Sequence, residues 1–182
     1  MHVEIDGKVV ESCKRLCPKI SAGAFDDSRL RLNITDGFAF LKTDADPHYD
    51  VAIVDSSDPS QGPNEYLFQD DFYLLLKNRI HPKHGVLCFQ AEHQWLHRGL
   101  VKKLYERCKR IFPVVWYYHT QVPTYPAGQI GFFICSNDPD YNPAVVGVTG
   151  DSAFVDELKY YTADVHRAAF ALPAFVKRYL DS

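Results

Sequence analysis

The sequence predicts an open α/β sheet with an antiparallel edge. Short apolar runs alternate with longer stretches of helical spacing, the pattern of parallel strands joined by helical crossovers. One run, Val51 to Val54, is continuously apolar, as a parallel strand buried on both faces should be. Beyond Val114 the rhythm changes, and two strand-like runs follow each other with only a proline-stiffened turn between them.

Taken in order, His2 to Ile5 reads as a strand ending at acidic residues. Val9, Val10, Cys13, Leu16 and Cys17 then keep helical spacing until Pro18 stops them. Leu30 to Ile34 is a second strand and Val51 to Val54 a third. Asp70 to Arg79 reads as a helix, and Gly85 to Gln90 as a fourth strand. Leu96, Leu100, Leu104, Cys108 and Ile111 recur about every four residues and mark one long helix. Val114–Gln121 and Gly128–Cys135 form the final hairpin around Val122-Pro-Thr-Tyr-Pro-Ala127. The stretch that follows, rich in Pro, Gly, Asn and Asp, predicts an irregular surface loop over about 137–160. A last helix over about 162–180 starts at Thr162, a candidate cap, and Pro173 bends or restarts it.

A chain of 182 residues suits one domain, and 46% hydrophobic with 14% aromatic residues is the composition of a folded globule. The net charge of −3 gives no basic footprint for nucleic acid. No apolar run reaches the roughly 18 residues a membrane span needs, and Met1 to Val10 lacks the pattern of a secretory signal. Five cysteines without zinc-site spacing predict reduced, packed thiols and a cytoplasmic location. Glu92 precedes the His93/His97 pair, so the pair is not the HExxH zinc motif, and no metal site is expected. The eight dispersed histidines read mostly as surface residues.

The residues with chemical potential stand where strands end. Glu4 can accept both hydroxyls of a ribose; an exposed acidic strand end is the plain alternative. Asp36 can accept from an adenine amino group, with Gly37 leaving backbone room, or it can simply cap a helix. Asp55 and Asp58 emerge together from an apolar strand, and paired carboxylates suit a polycationic amine. An alkyl amine titrates near pH 10.4, so at neutral pH it arrives protonated and needs a proton acceptor before it can attack. Gln90 and Glu92 repeat the pattern at the end of the fourth strand, where Glu92 can alternatively cap the next helix. Tyr125 sits in a stiff turn that can hold a phenol over a ligand or be purely structural.

Together these segments resemble the spermidine synthase family of aminopropyltransferases, in its eukaryotic branch. The resemblance runs from Val3-Glu-Ile-Asp6 to Ala168-Ala-Phe-Ala-Leu-Pro173. It rests on Asp36-Gly-Phe38, Val54-Asp-Ser-Ser-Asp-Pro59, Gly62-Pro63, Gln90-Ala-Glu92 and Gln94-Trp-Leu-His97, then Pro123-Thr-Tyr-Pro-Ala-Gly128 with Gln129-Ile-Gly-Phe132. It implies a methyltransferase-type, Rossmann-like open sheet. The implied reaction moves an aminopropyl group from decarboxylated S-adenosylmethionine, a co-substrate rather than a cofactor, to putrescine.

On the same ground Glu4, Asp36 and Gly37 would bind the nucleoside, with Pro63 and Leu67 walling the adenine. Asp55, helped by Tyr125, would take the proton of the attacking amine. Asp58, Gln90 and Glu92 would hold the diamine. One extra residue between Asp58-Pro59 and Gly62-Pro63 departs from the family's usual step. Residues 1–182 then read as a partial catalytic domain lacking the family's first strand, its glycine-rich turn and its amino-terminal β domain. That reading predicts no measurable aminopropyl transfer by these residues alone and a homodimer for the full-length protein. Spermine synthase, putrescine N-methyltransferase and a non-catalytic truncated subunit are the rival readings.

Overall fold

The computed structural model describes residues 1–43, 48–56, 69–147 and 153–182. They fall into two units, Met1–Pro47 and His48–Ser182.

In the first unit, β1 (His2–Glu4) and β2 (Leu32–Ile34) pair in parallel, with Glu4 opposite Ile34. The crossover between them is helical. Asp6 begins α1 (Gly7–Leu16) by accepting the Lys8 N–H at 2.8 Å, a standard way to satisfy one of the free amides of a first turn. Pro18 does not end helicity outright: it sits at the first position of a further turn, α2 (Pro18–Ser21), where its missing N–H is harmless. After β2 a third helix, α3 (Gly37–Thr43), starts behind Asp36.

The second unit is built on a four-stranded sheet in the order β3 (Val51–Val54), β4 (Val86–Gln90), β6 (Gln129–Ser136), β5 (Val114–Gln121). β3 and β4 are parallel; β6 is antiparallel to both β4 and β5. The hairpin expected from the sequence is therefore folded inward: its second strand inserts beside β4 and leaves β5 as the edge. Helix α4 (Asp70–Arg79) connects β3 to β4, and α5 (Arg98–Ile111) connects β4 to β5. Asp70, in the first turn of α4, ties the two helices through Arg107 at 2.6 Å and Arg110 at 3.4 Å.

Phe133 of β6 is fully buried at the centre of one sheet face. Phe89 (5.5 Å between ring centroids), Tyr117 (5.3 Å) and Tyr105 of α5 (6.0 Å) surround it. Tyr73 of α4 extends the cluster through Phe89 at 5.2 Å. These spacings suit tilted and edge-on aromatic pairs. On the other face Cys88 contacts the Tyr118 hydroxyl, and Tyr118 stacks on Phe132. There α7 (Ala163–Ala169) is followed by Phe170, which packs against Trp116 and Tyr118. Thr162 caps α7 by accepting the Val165 N–H at 3.1 Å. Pro173 starts a separate last helix, α8 (Ala174–Asp181), whose Val176 and Leu180 are buried. Between β6 and α7 the described part of the loop contains one short helix, α6 (Ala153–Asp156).

One expectation fails here. Val51 and Ile53 are 58% and 74% exposed, while Ala52 and Val54 are half-buried. β3 is the end strand of its sheet, and among the described residues only one of its faces is covered. Side chains alternate between faces along a strand, so a four-residue apolar run yields two buried and two open positions. All five cysteines are free, with Cys108 and Cys135 buried.

Candidate active site

Each unit gathers its acids at the carboxyl ends of its parallel strands. In the first, Glu4 ends β1, and its backbone carbonyl accepts the Thr35 N–H at 2.9 Å just past the end of β2. Glu4 lies opposite Ile34 in the register, so Asp36 follows two residues beyond its partner at the same end of the strand pair. The Glu4 carboxylate accepts the Asp6 N–H at 2.8 Å. Asp36 accepts the Ala39 N–H at 2.8 Å, so the capping role is real. Among the described residues, a methyl group built on Gly37 would meet nothing within 4 Å.

In the second unit the pairing of Val54 with Phe89 sets Asp55 beside Gln90. Asp55 is exposed directly after β3; Gln90, the last residue of β4, is half-buried. Two residues on, Glu92 has an almost enclosed carboxylate, 13% exposed, bonded to His97 Nδ1 at 2.8 Å. Glu92 does not cap α5, since His97 holds the N-cap position. Tyr125 is 46% exposed in the turn between β5 and β6. Its N–H donates to the Val122 carbonyl at 3.0 Å, and its carbonyl accepts the Gly128 N–H at 2.9 Å. Ala127 and Gly128 both take left-handed φ values, 58° and 68°, so this turn is tightly specified. Asp58, Pro63 and Leu67 lie outside the described residues.

A second polar layer supports this edge, and most of it was invisible in the sequence. His93, counted there among surface histidines, is only 6% exposed. Its Nδ1 accepts the N–H groups of Trp95 and Leu96 at 3.2 and 3.3 Å, and burial, then the His97 and His119 rings, push its pKa down. It is therefore a neutral acceptor that replaces missing backbone partners ahead of α5. Gln94, 2% exposed, donates to Gln129 at 2.9 Å, and Gln129 bonds His119 Nδ1 at 3.0 Å. The Tyr117 hydroxyl donates to the Glu92 carbonyl at 2.9 Å. A lone glycine inside a strand pattern, Gly131, was the one legible sign of such close approach.

Among the described residues no cluster of histidine, cysteine, aspartate or glutamate could hold a metal, and no helix is long and apolar enough to cross a membrane.

Among the described residues, the carboxyl ends of β3 and β4 therefore carry Asp55, Gln90 and Glu92, two carboxylates and an amide. Comparison with known proteins identifies the family. Residues 1–144 match the spermine/spermidine synthase domain. Spermidine synthase 2 of Arabidopsis thaliana is 42% identical over 98% of this chain and 54% of its own length. Spermine synthase of the same plant is 41% identical over 98% of this chain and 51% of its own length. The solved structure of a spermidine synthase in complex with the transition-state analogue AdoDATO superposes with a TM-score of 0.82 at 34% identity, covering 98% of this chain and 60% of that one. The chain thus spans about half the length of the curated relatives it matches. With sequence motifs, sheet topology and acidic strand ends in agreement, the chain belongs to the spermine/spermidine synthase family.

Proposed function

We propose that the protein carrying this chain is an aminopropyltransferase. It takes the aminopropyl group of decarboxylated S-adenosylmethionine and gives it to putrescine, forming spermidine and methylthioadenosine. The observation that carries the reading is the register placing Asp55 beside Gln90, with Glu92 two residues on, at one edge of the sheet, in a chain of this family.

The chemistry follows from that arrangement. The amine nitrogen attacks the carbon next to the sulfonium; a C–N bond forms, the C–S bond breaks, and its electron pair leaves with sulfur as a neutral thioether. Sulfur loses charge on leaving, so it needs no proton and the reaction calls for no metal or redox group. The amine must lose a proton to attack, and Asp55 accepts it, helped by Tyr125. Asp58, Gln90 and Glu92 hold the rest of the diamine, and aligning nitrogen and carbon supplies much of the rate. Glu4 holds the ribose and Asp36 with Gly37 the adenine, walled by Pro63 and Leu67. The full protein acts in the cytoplasm as a homodimer.

A spermine synthase relative is nearly as similar as the spermidine synthase one, so spermidine as acceptor is the second reading. Mass analysis of products from putrescine and from spermidine, offered separately to the full native polypeptide, decides between them. Spermidine made from putrescine at the higher kcat/KM supports the proposal. Spermine as the dominant product favours the second reading, and methylputrescine would overturn both.

A further inference from the structure

Glu92 has a φ of 61°, a left-handed conformation that a residue with a side chain adopts only where its surroundings impose it. Those surroundings come from both neighbouring strands. The Glu92 carbonyl accepts the Tyr117 hydroxyl of β5 at 2.9 Å and the Gly131 N–H of β6 at 3.0 Å. The preceding Ala91 N–H returns a bond to the Gly131 carbonyl at 2.9 Å. Tyr117 has little freedom, being 3% exposed with its ring edge-on to Phe133.

Any side chain at Gly131 would force its neighbours to shift, because a Cβ there would lie 1.9 Å from the Tyr117 hydroxyl oxygen and 2.5 Å from the Glu92 carbonyl oxygen. The other end of the residue is fixed as well. His97 Nδ1 holds the carboxylate at 2.8 Å, and the His97 N–H donates to the His93 carbonyl at 2.8 Å at the start of α5.

A strand that merely ended at Gln90 would need none of this. Three elements converge on one residue, force it into a strained conformation and then restrain its side chain. Strain of this kind persists where it re-aims a group for a purpose. We propose that Tyr117, Gly131 and His97 are positioning residues that fix the Glu92 carboxylate as the receptor for the ammonium of the acceptor amine remote from the reacting nitrogen. The inference rests on the aminopropyl-transfer reading. A preset carboxylate binds a flexible diamine without first being ordered. Because the remote ammonium is unchanged by the reaction, its binding contributes equally to ground and transition states. The effect therefore belongs to KM rather than kcat.

The test uses the full native polypeptide that carries these residues, assayed with varied putrescine and saturating decarboxylated S-adenosylmethionine. Tyr117→Phe removes only the hydroxyl; His97→Ala removes the ring; His97→Asn restores an N–H donor where Nδ1 stands. The two disruptive variants should raise KM for putrescine roughly tenfold, the scale of one lost hydrogen bond. Neither kcat nor methylthioadenosine affinity should change more than about twofold, and His97→Asn should recover most of the loss. A merely structural role would lower kcat, nucleoside affinity and thermal midpoint together, without rescue by asparagine. That result overturns the proposal. Wild-type KM in both disruptive variants also overturns it while leaving the aminopropyl-transfer reading intact. Failure of the unsubstituted protein to transfer to any diamine overturns both. If Tyr117→Phe fails to fold, the two substitutions at exposed His97 decide the matter alone.

Discussion

Asp36 serves the fold as a cap, and the proposed function gives the same carboxylate a ligand. One of its oxygens accepts the Ala39 N–H at the start of α3. Asparagine caps helices about as well as aspartate, so Asp36→Asn should leave α3 and the thermal midpoint nearly unchanged. It should still weaken methylthioadenosine binding by about 1–2 kcal/mol, because a charge-assisted hydrogen bond becomes a neutral one. Glu4→Gln should have a loss of the same size. Calorimetry on each variant checks this; unchanged affinity in both would reduce these acids to caps and turn-formers. The sequence offered binding and capping as alternatives for Asp36, and the structure shows the cap, a local role that residue type and position make legible.

At the scale of elements, the strands and long helices were legible because their signals are periodic. Leu104, Cys108 and Ile111 are buried on α5 as their spacing requires, and the hairpin strands lie close to where alternation and turn residues put them. The placement of β6 between β4 and β5 was not legible, because pairing order is decided by packing across the sheet and leaves no local mark. The open face of β3 was misread for the same reason: a run of four apolar residues does not say whether a neighbour covers it. In the candidate site, the acids at strand ends could be found from residue type and position. Tyr117, His97 and buried His93 could not, since each acts through a contact with a residue distant in space or through its own backbone. Gly131 concentrates that hidden information. Gly131→Ala should destabilise the protein by about 1–3 kcal/mol, the usual cost of overpacking a close-packed site, and should displace Tyr117. Urea unfolding measures it, and a loss below about 0.5 kcal/mol would mean that β5 and β6 part more easily than their geometry implies.

For the molecule as a whole, two physical properties follow from burial and pairing. Tyr73 and Tyr117 are 2% and 3% exposed, and burial pushes both phenols well above their ordinary range. In the unfolded chain a phenol titrates near pH 10. Below that value both states keep the proton and the stability is fully present. Above it the unfolded chain sheds protons that the folded one retains, and stability falls by about 1.4 kcal/mol per phenol for each pH unit. Urea midpoints at pH 8 and 11 should differ accordingly, and Tyr73→Phe should reduce the difference; equal midpoints would mean that these phenols reach solvent. Among the described residues β1 pairs only with β2 and β3 only with β4. Free strand edges beside exposed Ile53 favour association. The 182 residues alone should therefore run large on a sizing column and show no measurable transfer, whereas robust turnover by a monodisperse preparation would contradict this.

The central claim, that the acids at the sheet edge carry aminopropyl transfer with Asp55 as proton acceptor, is tested most directly by one paired assay. The full native polypeptide and its Asp55→Asn variant are given putrescine and decarboxylated S-adenosylmethionine at neutral pH, with spermidine and methylthioadenosine quantified together. The unsubstituted protein should form the two products in equal amounts. The variant should bind methylthioadenosine as before but turn over about 10²- to 10⁴-fold more slowly, the range expected for loss of a general base. Near-normal turnover by Asp55→Asn, or no spermidine from the unsubstituted protein, would contradict the account.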